Sequence, residues 1–222
     1  MRRVLVPELL DSDAGTAFEV QTALADLRRI NRWFGGTSTT LAMLERVMER
    51  SGGHKLSLLE VAAGAADAPR AAAELARKRG NVLRTTCLDR SFTHLQKGTP
   101  AVVGDALQLP FANESFDLVS CGLFAHHLDP AEVVRFAQEA LRVARVALLI
   151  NDLARSSVHW AMAWLGRPLW RSRLTRHDSV VSVQRSYTLE EFQSLLQQAQ
   201  PAKVEISRYY FFRFGAIAWK ER

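Results

Sequence analysis

The middle of the chain alternates short apolar segments with helical segments, and this alternation restricts the fold more than any other feature. Five segments have the length and apolar content of buried strands, namely 56–63, 82–89, 101–106, 116–122 and 146–152. Helical segments lie between them, the clearest at 69–78 and 130–143. Continuous apolar strands joined by helices predict an α/β fold, with a parallel sheet covered by helices on both faces.

The segments on either side of this core have other patterns. Thr16 and Glu19 have capping-box spacing ahead of a helix that Gly35 and Gly36 end, and a second helix follows at about 39–50. At 222 residues the chain has the length of one domain. We therefore expect a single domain over 1–222, made of a helical N-terminal cap (1–53), a core (54–152) and a C-terminal part (153–222).

The C-terminal part carries a helix signal and two strand signals. Thr188 and Glu191 repeat the capping-box spacing. Segments 204–212 and 213–219 are rich in apolar and β-branched residues, which predicts two neighbouring strands at an antiparallel edge. The remaining stretch, 154–185, contains several tryptophans and arginines and has no strand pattern.

The composition does not identify a binding partner, and this sequence contains no segment long and apolar enough to span a membrane. The net charge is +6, but the basic residues are spread along the chain without the block of a nucleic-acid tail. The longest strongly apolar run, at 143–150, is far shorter than the ~20 residues of a membrane helix. The N-terminus lacks the apolar stretch of a signal peptide, so we expect a cytoplasmic protein.

The two cysteines give no sign of a metal centre. Cys87 and Cys121 lie in strand segments, and they do not have the spacing of metal ligands. The sequence therefore predicts two buried, reduced thiols and no metal site.

Polar and small residues follow the first strand where a ligand could approach the backbone. The strand ends with Glu60, and Ala62, Gly64 and Ala66 lead into the next helix near Asp67. Small residues allow close approach of a ligand, and a helix N-terminus offers free N–H groups. A dinucleotide site would have G-x-G-x-x-G here. By itself, this segment fits a ligand loop and a structural turn equally well.

Two further acids follow the second and third strands. Asp89 lies where a carboxylate in a doubly wound sheet can accept hydrogen bonds from both ribose hydroxyls, in a dinucleotide or in another nucleoside. In the segment 104–119, the Asp105 carboxylate can accept a hydrogen bond from an adenine amino group. The backbone N–H of Ala106 can then reach a ring nitrogen.

These segments together resemble a known family. In the order EVAAGAAD, CLDRS, GDALQLPFANESFDLV and HHL, residues 55–152 look like the class I S-adenosylmethionine (SAM)-dependent methyltransferases. They are most similar to the group that includes the ubiquinone and menaquinone biosynthesis enzymes. The resemblance implies a Rossmann-like, doubly wound, seven-stranded sheet with its last strand antiparallel. Two departures are Ala66 in place of a third glycine and the missing proline-glycine turn before the fifth strand.

The resemblance also implies the cofactor and the residues that hold it. The cofactor would be SAM, with S-adenosylhomocysteine (SAH) as product. Glu60 and the 62–67 turn would face its methionine part, Asp89 its ribose, and Asp105 with Ala106 its adenine. The full set of expected cofactor residues is Glu60, Ala62, Gly64, Ala66, Asp67, Asp89, Arg90, Asp105, Ala106, Leu107, Cys121 and Gly122.

The segment after the fourth strand normally faces the methyl acceptor in this family, and here it reads CGLFAHHLD. His126 and His127 are candidate general bases because histidine titrates near neutrality. A structural role for either is the alternative. The further candidates for acceptor contacts are Asp152, His159, Trp160, Trp164 and His177. Trp160 and Trp164, four residues apart, share a helical face that could line a lipophilic pocket, rest on a membrane surface or pack in the core.

We therefore expect methyl transfer, on oxygen or carbon, to a small hydrophobic acceptor such as a phenol, an aromatic polyketide or a quinone-like ring. Nucleic acid is not an expected partner, because the chain lacks the Asn/Asp-Pro-Pro-aromatic stretch and the proline-flanked cysteine of nucleobase methyltransferases. The alternatives are an RNA or protein methyltransferase and a SAM-binding protein without catalysis. A NAD-dependent reductase would need a fuller glycine fingerprint. The sequence does not indicate an oligomeric state.

Overall fold

The computed structural model describes residues 1–11, 15–52, 55–64, 66–91, 99–210 and 212–221. Within these residues seven helices are α1 (Ala17–Trp33), α2 (Gly36–Ser51), α3 (Asp67–Lys78), α4 (Pro130–Val143), α5 (Ser157–Gly166), α6 (Arg173–Arg185) and α7 (Leu189–Gln198). Seven strands are β1 (Lys55–Val61), β2 (Val82–Asp89), β3 (Ala101–Val103), β4 (Phe116–Gly122), β5 (Ala144–Leu153), β6 (Lys203–Tyr209) and β7 (Arg213–Trp219).

The strands form one sheet in the order β3-β2-β1-β4-β5-β7-β6. The first five strands are parallel, and β7 runs antiparallel to both β5 and β6. This arrangement confirms the predicted doubly wound sheet with an antiparallel last strand. The predicted strand pair at the C-terminus is present, with β7 inserted between β5 and the edge strand β6.

Apolar layers cover both faces of the sheet. On one face, α4 and α7 bury Phe136 and Phe192 against Phe214 of β7. On the other face, α2 and α3 pack against residues such as Leu58 and Trp219. Burial on both faces explains why most residues of the central strands are apolar.

Most helix boundaries follow from local capping. The boxes formed by Thr16 with Glu19 and by Thr188 with Glu191 are both present, as predicted. Helix α2 begins at Gly36, three residues before the predicted start, because Gly35 takes a left-handed conformation (φ 75°) that reverses the chain at once. Strand β3 is also shorter than predicted and ends at Val103, so Asp105 lies in the turn beyond it.

Buried polar contacts join the two N-terminal helices to the carboxyl end of the sheet. The Asn151 amide of β5 donates hydrogen bonds to the Gly36 carbonyl (2.7 Å) and to the Thr40 hydroxyl (3.0 Å). The buried guanidinium of Arg213 donates to the Phe34 carbonyl (2.8 Å) and to the Asn31 amide oxygen (3.0 Å). These contacts fix the N-terminal helices beside β5 and β7.

No helix in the described part of the chain is long and apolar enough to cross a membrane.

Candidate active site

The carboxyl ends of the five parallel strands meet at one edge of the sheet. Val61 of β1 pairs with Leu88 of β2 and with Cys121 of β4, while Gly122 pairs with Asn151 of β5. Ligands of open α/β sheets bind in the crevice outside this edge. The polar residues that the sequence places after each strand therefore lie around a common crevice.

The loop after β1 has an unusual backbone. Ala62, Gly64 and Ala66 all have left-handed conformations, with φ of 53°, 47° and 55°. An alanine in this region costs roughly 1–2 kcal/mol, and such strain is typical of ligand-binding turns. Asp67 begins α3 directly after it. Ala65, inside the predicted turn, lies outside the described residues.

Asp89 joins this loop to the end of β2. One carboxylate oxygen accepts a hydrogen bond from the Gly64 N–H (3.1 Å), and the other accepts from the Ser91 N–H (3.0 Å). The buried Asp89 therefore organises the loop after β1, while the adjacent Arg90 is exposed.

Asp105 caps the turn that follows β3. Its side chain accepts a hydrogen bond from the Leu107 N–H (2.9 Å), and its carbonyl accepts from the Gln108 N–H (3.2 Å). The carboxylate is exposed to solvent, whereas Ala106 is buried. This placement agrees with an acid that can reach a ligand at the edge of the crevice.

Glu60 is a buried carboxylate without a cation in contact among the described residues. Burial raises its pKa to about 7, and the hydroxyl of Ser120 on β4, which donates to Glu60, opposes this increase. Open space lies nearby, because a Cβ added to Gly64 or Gly122 would meet no atom of the described residues within 4 Å. An uncompensated buried carboxylate beside open space suits a ligand that brings a positive charge.

Cys121 lies next to this carboxylate in β4. Both cysteines are free and buried, as predicted. Burial raises the pKa of the Cys121 thiol well above its ordinary value, and the charge of Glu60 adds to the increase. The thiol is therefore neutral near pH 7 and unsuited to act as a nucleophile.

His126 lies in a short 3₁₀ turn after β4 and is held by two acids. Its Nδ1 donates to an Asp152 oxygen (2.7 Å), its backbone N–H donates to the other Asp152 oxygen (3.0 Å), and its Nε2 lies 3.4 Å from Glu8. Burial lowers the pKa of His126, but Asp152 and Glu8 outweigh this effect and raise the pKa to about 10. His126 is therefore protonated near pH 7 in this arrangement.

His127 is the more accessible of the two histidines. Its side chain is 21% exposed, against 3% for His126, and its Nδ1 lies 2.7 Å from Asp11. A general-base role stays a prediction for both residues. Exposure favours His127, because His126 is buried and already protonated near pH 7.

His159 and Trp160 begin α5, directly beyond β5. His159 Nδ1 donates to the Ala154 carbonyl (3.0 Å), and its ring stacks on Phe212 with centroids 4.5 Å apart. Burial lowers the pKa of His159 to about 4, so this imidazole is neutral near pH 7. The indole N–H of Trp160 is buried and has no hydrogen-bond partner among the described residues.

Helix α5 itself is apolar and contains no buried residue. Trp164 is 51% exposed, which is incompatible with core packing of this side chain. The exposed apolar side chains of the helix and the turn that follows it are Val158, Met162, Trp164, Leu165 and Leu169. We call these five side chains the apolar face of α5. Trp170, in contrast, is buried and packs at its edge against Phe34.

His177 lies apart from these groups. It is on α6, where its Nδ1 contacts Asp178 (2.8 Å). Asp178 in turn accepts hydrogen bonds from the backbone N–H groups of Leu9 and Leu10 (2.9 and 3.0 Å). The contact with Asp178 therefore links His177 to the N-terminal segment. The predicted contact between His177 and the methyl acceptor stays a prediction.

Two residues of the site were not identified from the sequence. Ser120 lies within an apolar strand, where nothing but its register opposite Glu60 marks it. Glu8 lies more than a hundred residues from the histidines that it contacts, in a segment without a regular pattern. A short-range motif could not have indicated either contact.

Sequence comparison assigns a domain to this part of the chain. Residues 59–147 match the family model described as a methyltransferase domain. No curated protein sequence matches the chain. The matched range includes the end of β1, the strands β2 to β4, the start of β5 and the expected cofactor residues.

Solved structures share the fold at low sequence identity. The plantazolicin methyltransferase BpumL, solved with a pentazolic desmethylPZN analogue and SAH, is 12% identical with a TM-score of 0.70, and the match covers 96% of this chain and 94% of that one. A SAM-dependent methyltransferase from Aquifex aeolicus is 15% identical with a TM-score of 0.55, covering 87% and 98%. A candidate O-methyltransferase from Nostoc punctiforme is 16% identical with a TM-score of 0.62. The match covers 95% of this chain and 66% of that one.

Proposed function

We propose that this chain, a class I SAM-dependent methyltransferase by its domain match and its fold, transfers the SAM methyl group to a small hydrophobic acceptor. The match of residues 59–147 to a methyltransferase domain and the doubly wound sheet both support the expected membership of the class I methyltransferases. The acceptor is a phenol, an aromatic polyketide or a quinone-like ring, methylated on oxygen or carbon. The observation that carries this choice is the apolar face of α5, which directly follows β5 at the crevice.

The residues around the crevice fit the cofactor. Glu60 supplies the negative charge that the methionine ammonium group requires, and the strained loop after β1 brings backbone N–H groups close to it. Asp89 accepts the ribose hydroxyls, and Asp105 with the Ala106 N–H binds the adenine. The bound cofactor supplies an electrophilic sulfonium methyl group, so the protein has to orient the acceptor atom in line with it.

The acceptor enters between the histidines and α5. His127 and the neutral His159 are the two groups that can take up a proton from an acceptor hydroxyl. The indole N–H of Trp160, which has no hydrogen-bond partner in the described part of the chain, can donate a hydrogen bond to an acceptor oxygen. Trp164 and its apolar neighbours cover the hydrocarbon part of the acceptor.

The same face suggests where the protein operates. We place it in the cytoplasm, with a small molecule rather than nucleic acid as its partner. Exposed apolar side chains flanked by Arg167 and Arg171 suit weak contact with an anionic membrane surface, where lipophilic acceptors accumulate.

Cofactor affinity should depend on pH through Glu60. Burial raises the Glu60 pKa to about 7, and the ammonium group of a bound cofactor lowers it again, so binding releases a proton. Affinity is therefore lost as pH falls below 7. We expect calorimetry to show SAH, which carries the same ammonium group, binding about tenfold more tightly at pH 8 than at pH 6.

The matched control is Glu60→Gln, which cannot ionise. This variant should bind SAH more weakly at pH 8 and show a flat profile between pH 6 and pH 8. If SAH affinity in Glu60→Gln depends on pH as it does in the wild type, another group is responsible for the titration. This result would contradict the proposed contact between Glu60 and the ammonium group.

The proposed function is tested by methyl transfer itself. Purified protein is incubated with methyl-labelled SAM and a panel of phenols, quinols and aromatic polyketides, with RNA and a protein extract as further arms. We expect label in at least one lipophilic phenol or quinol and none in RNA or protein. Label only in the macromolecular arms would overturn the choice of acceptor, and SAM binding without transfer to any arm would indicate a binding protein.

A further inference from the structure

The N-terminal segment and the turn after β4 bring together a second group of polar side chains. The carboxylate of Glu8 faces both imidazoles. Its Oε1 lies 3.4 Å from Nε2 of His126, and its Oε2 lies 4.0 Å from Nε2 of His127. The ligand atoms of the three residues all lie within 4.8 Å of one another. The two imidazole rings are tilted side by side, with their centroids 4.2 Å apart.

The outer nitrogen of each imidazole is held by a separate carboxylate. His126 Nδ1 lies 2.7 Å from Asp152, and His127 Nδ1 lies 2.7 Å from Asp11. Glu8 is held as well, because its Oε1 accepts a hydrogen bond from the Ser182 hydroxyl (2.9 Å). Metal-bound histidines almost always donate their other ring N–H to a carboxylate, a carbonyl or water, and metal-bound carboxylates are hydrogen-bonded in turn.

The distances within the group separate two kinds of contact. A charge-assisted N–H···O bond is about 2.7–2.9 Å long, which the contact from His126 to Asp152 satisfies. The separations of 3.4 and 4.0 Å between Glu8 and the Nε2 atoms are too long for such bonds. Two ligands at about 2.1 Å from a tetrahedral zinc ion are roughly 3.4 Å apart, which matches the separation between Glu8 and His126, whereas the 4.0 Å between Glu8 and His127 has to shorten when the ion binds.

We propose that Glu8, His126 and His127 bind one divalent transition-metal ion of the zinc class. Two imidazoles and one carboxylate are a donor set that suits such ions, and three protein ligands leave one position for water or a ligand oxygen. The partial exposure of His127 gives solvent access to this position. The nearby Arg3 and Arg185 donate to the carbonyls of residues 126–128 instead of competing for the imidazoles.

The acids that favour a proton on His126 would equally favour the metal, which displaces that proton when it binds. The bound ion would tie the N-terminal segment to the turn after β4. This inference does not depend on the identity of the methyl acceptor. When the ion occupies Nε2 of His127, this imidazole no longer serves as a base, and His159 is the remaining candidate.

The test is a zinc titration of the full chain without an affinity tag, after dialysis against a chelator. Competition with a chromophoric chelator should show about one zinc ion per chain with micromolar or tighter affinity. We expect His127→Gln to weaken zinc binding at least 100-fold and Asp11→Asn, which alters only the carboxylate that holds His127, about 10-fold. The matched control is His177→Gln, which removes another aspartate-paired histidine and should leave zinc affinity unchanged.

A second measurement guards against misfolding of the variants. Addition of zinc should raise the melting temperature of the wild type and of His177→Gln, and it should not change that of His127→Gln. Asp11 is half exposed, so its variant should fold normally. The site would be overturned if the wild type bound substoichiometric zinc. It would also be overturned if the wild type, His127→Gln and Asp11→Asn all bound zinc with equal affinity. His126 would then be an imidazolium held by two acids.

Discussion

Replacing Asp89 with alanine is expected to weaken SAM binding by about 2–3 kcal/mol, roughly 30- to 150-fold in Kd. The variant loses both acceptors for the ribose hydroxyls. It also releases the Gly64 N–H, and with it the strained loop that presents backbone groups to the cofactor. The effect is measured by calorimetric titration with SAM and SAH, together with a thermal melt of the variant.

The chain offers a matched control at the opposite end of the sheet. Asp117, at the start of β4, also accepts hydrogen bonds from a backbone N–H and a hydroxyl, both of Ser57. Asp117→Ala should therefore lower the melting temperature without changing SAM affinity. An unchanged affinity in Asp89→Ala, or an equal loss in Asp117→Ala, would contradict a direct contact between Asp89 and the ribose.

Substitution of the tryptophans of α5 should act on the acceptor alone. We expect Trp160→Ala and Trp164→Ala each to raise the KM of the acceptor at least about tenfold, equivalent to about 1.4 kcal/mol, while SAM affinity stays within about twofold. Trp164 is half exposed, so its removal leaves no cavity in the core. Steady-state kinetics and thermal melts, run on the same preparations, separate binding from stability.

Phe18→Ala is the matched control for these variants, because it removes an exposed aromatic side chain from α1. It should leave both KM and melting temperature unchanged. If Trp160→Ala and Trp164→Ala are well folded and have normal kinetics with every acceptor, α5 does not line the acceptor site. A loss of affinity for both ligands, with a lower melting temperature, would indicate packing instead.

The parts of the fold that could be predicted from the sequence depend on interactions between residues that are close in the chain. The capping boxes at Thr16 and Thr188 involve residues three positions apart, and each starts a helix where expected. The predicted bounds of β2 and β4 match those of the structure, because apolar and β-branched residues dominate both segments. The acids at the strand ends could be located for the same reason.

The contacts that could not be predicted are long-range. Nothing near Glu8 in the sequence indicates that it faces His126, because that contact depends on how the N-terminal segment crosses the turn after β4. The placement of β7 between β5 and β6 likewise depends on pairing between distant segments. The exposure of Trp164 was equally undetermined, since a tryptophan pair at helical spacing is common to cores and to binding surfaces.

The most direct test of the central claim, that the crevice binds SAM rather than a dinucleotide, is a calorimetric titration of the wild-type chain with SAM, SAH and NAD. The buried Glu60 and the single-glycine loop after β1 favour a cofactor with an ammonium group and no pyrophosphate. We expect SAM and SAH to bind one per chain at micromolar Kd, and NAD to give no heat of binding at the same concentrations. Binding of NAD at comparable affinity, or no binding of SAM and SAH, would contradict the account.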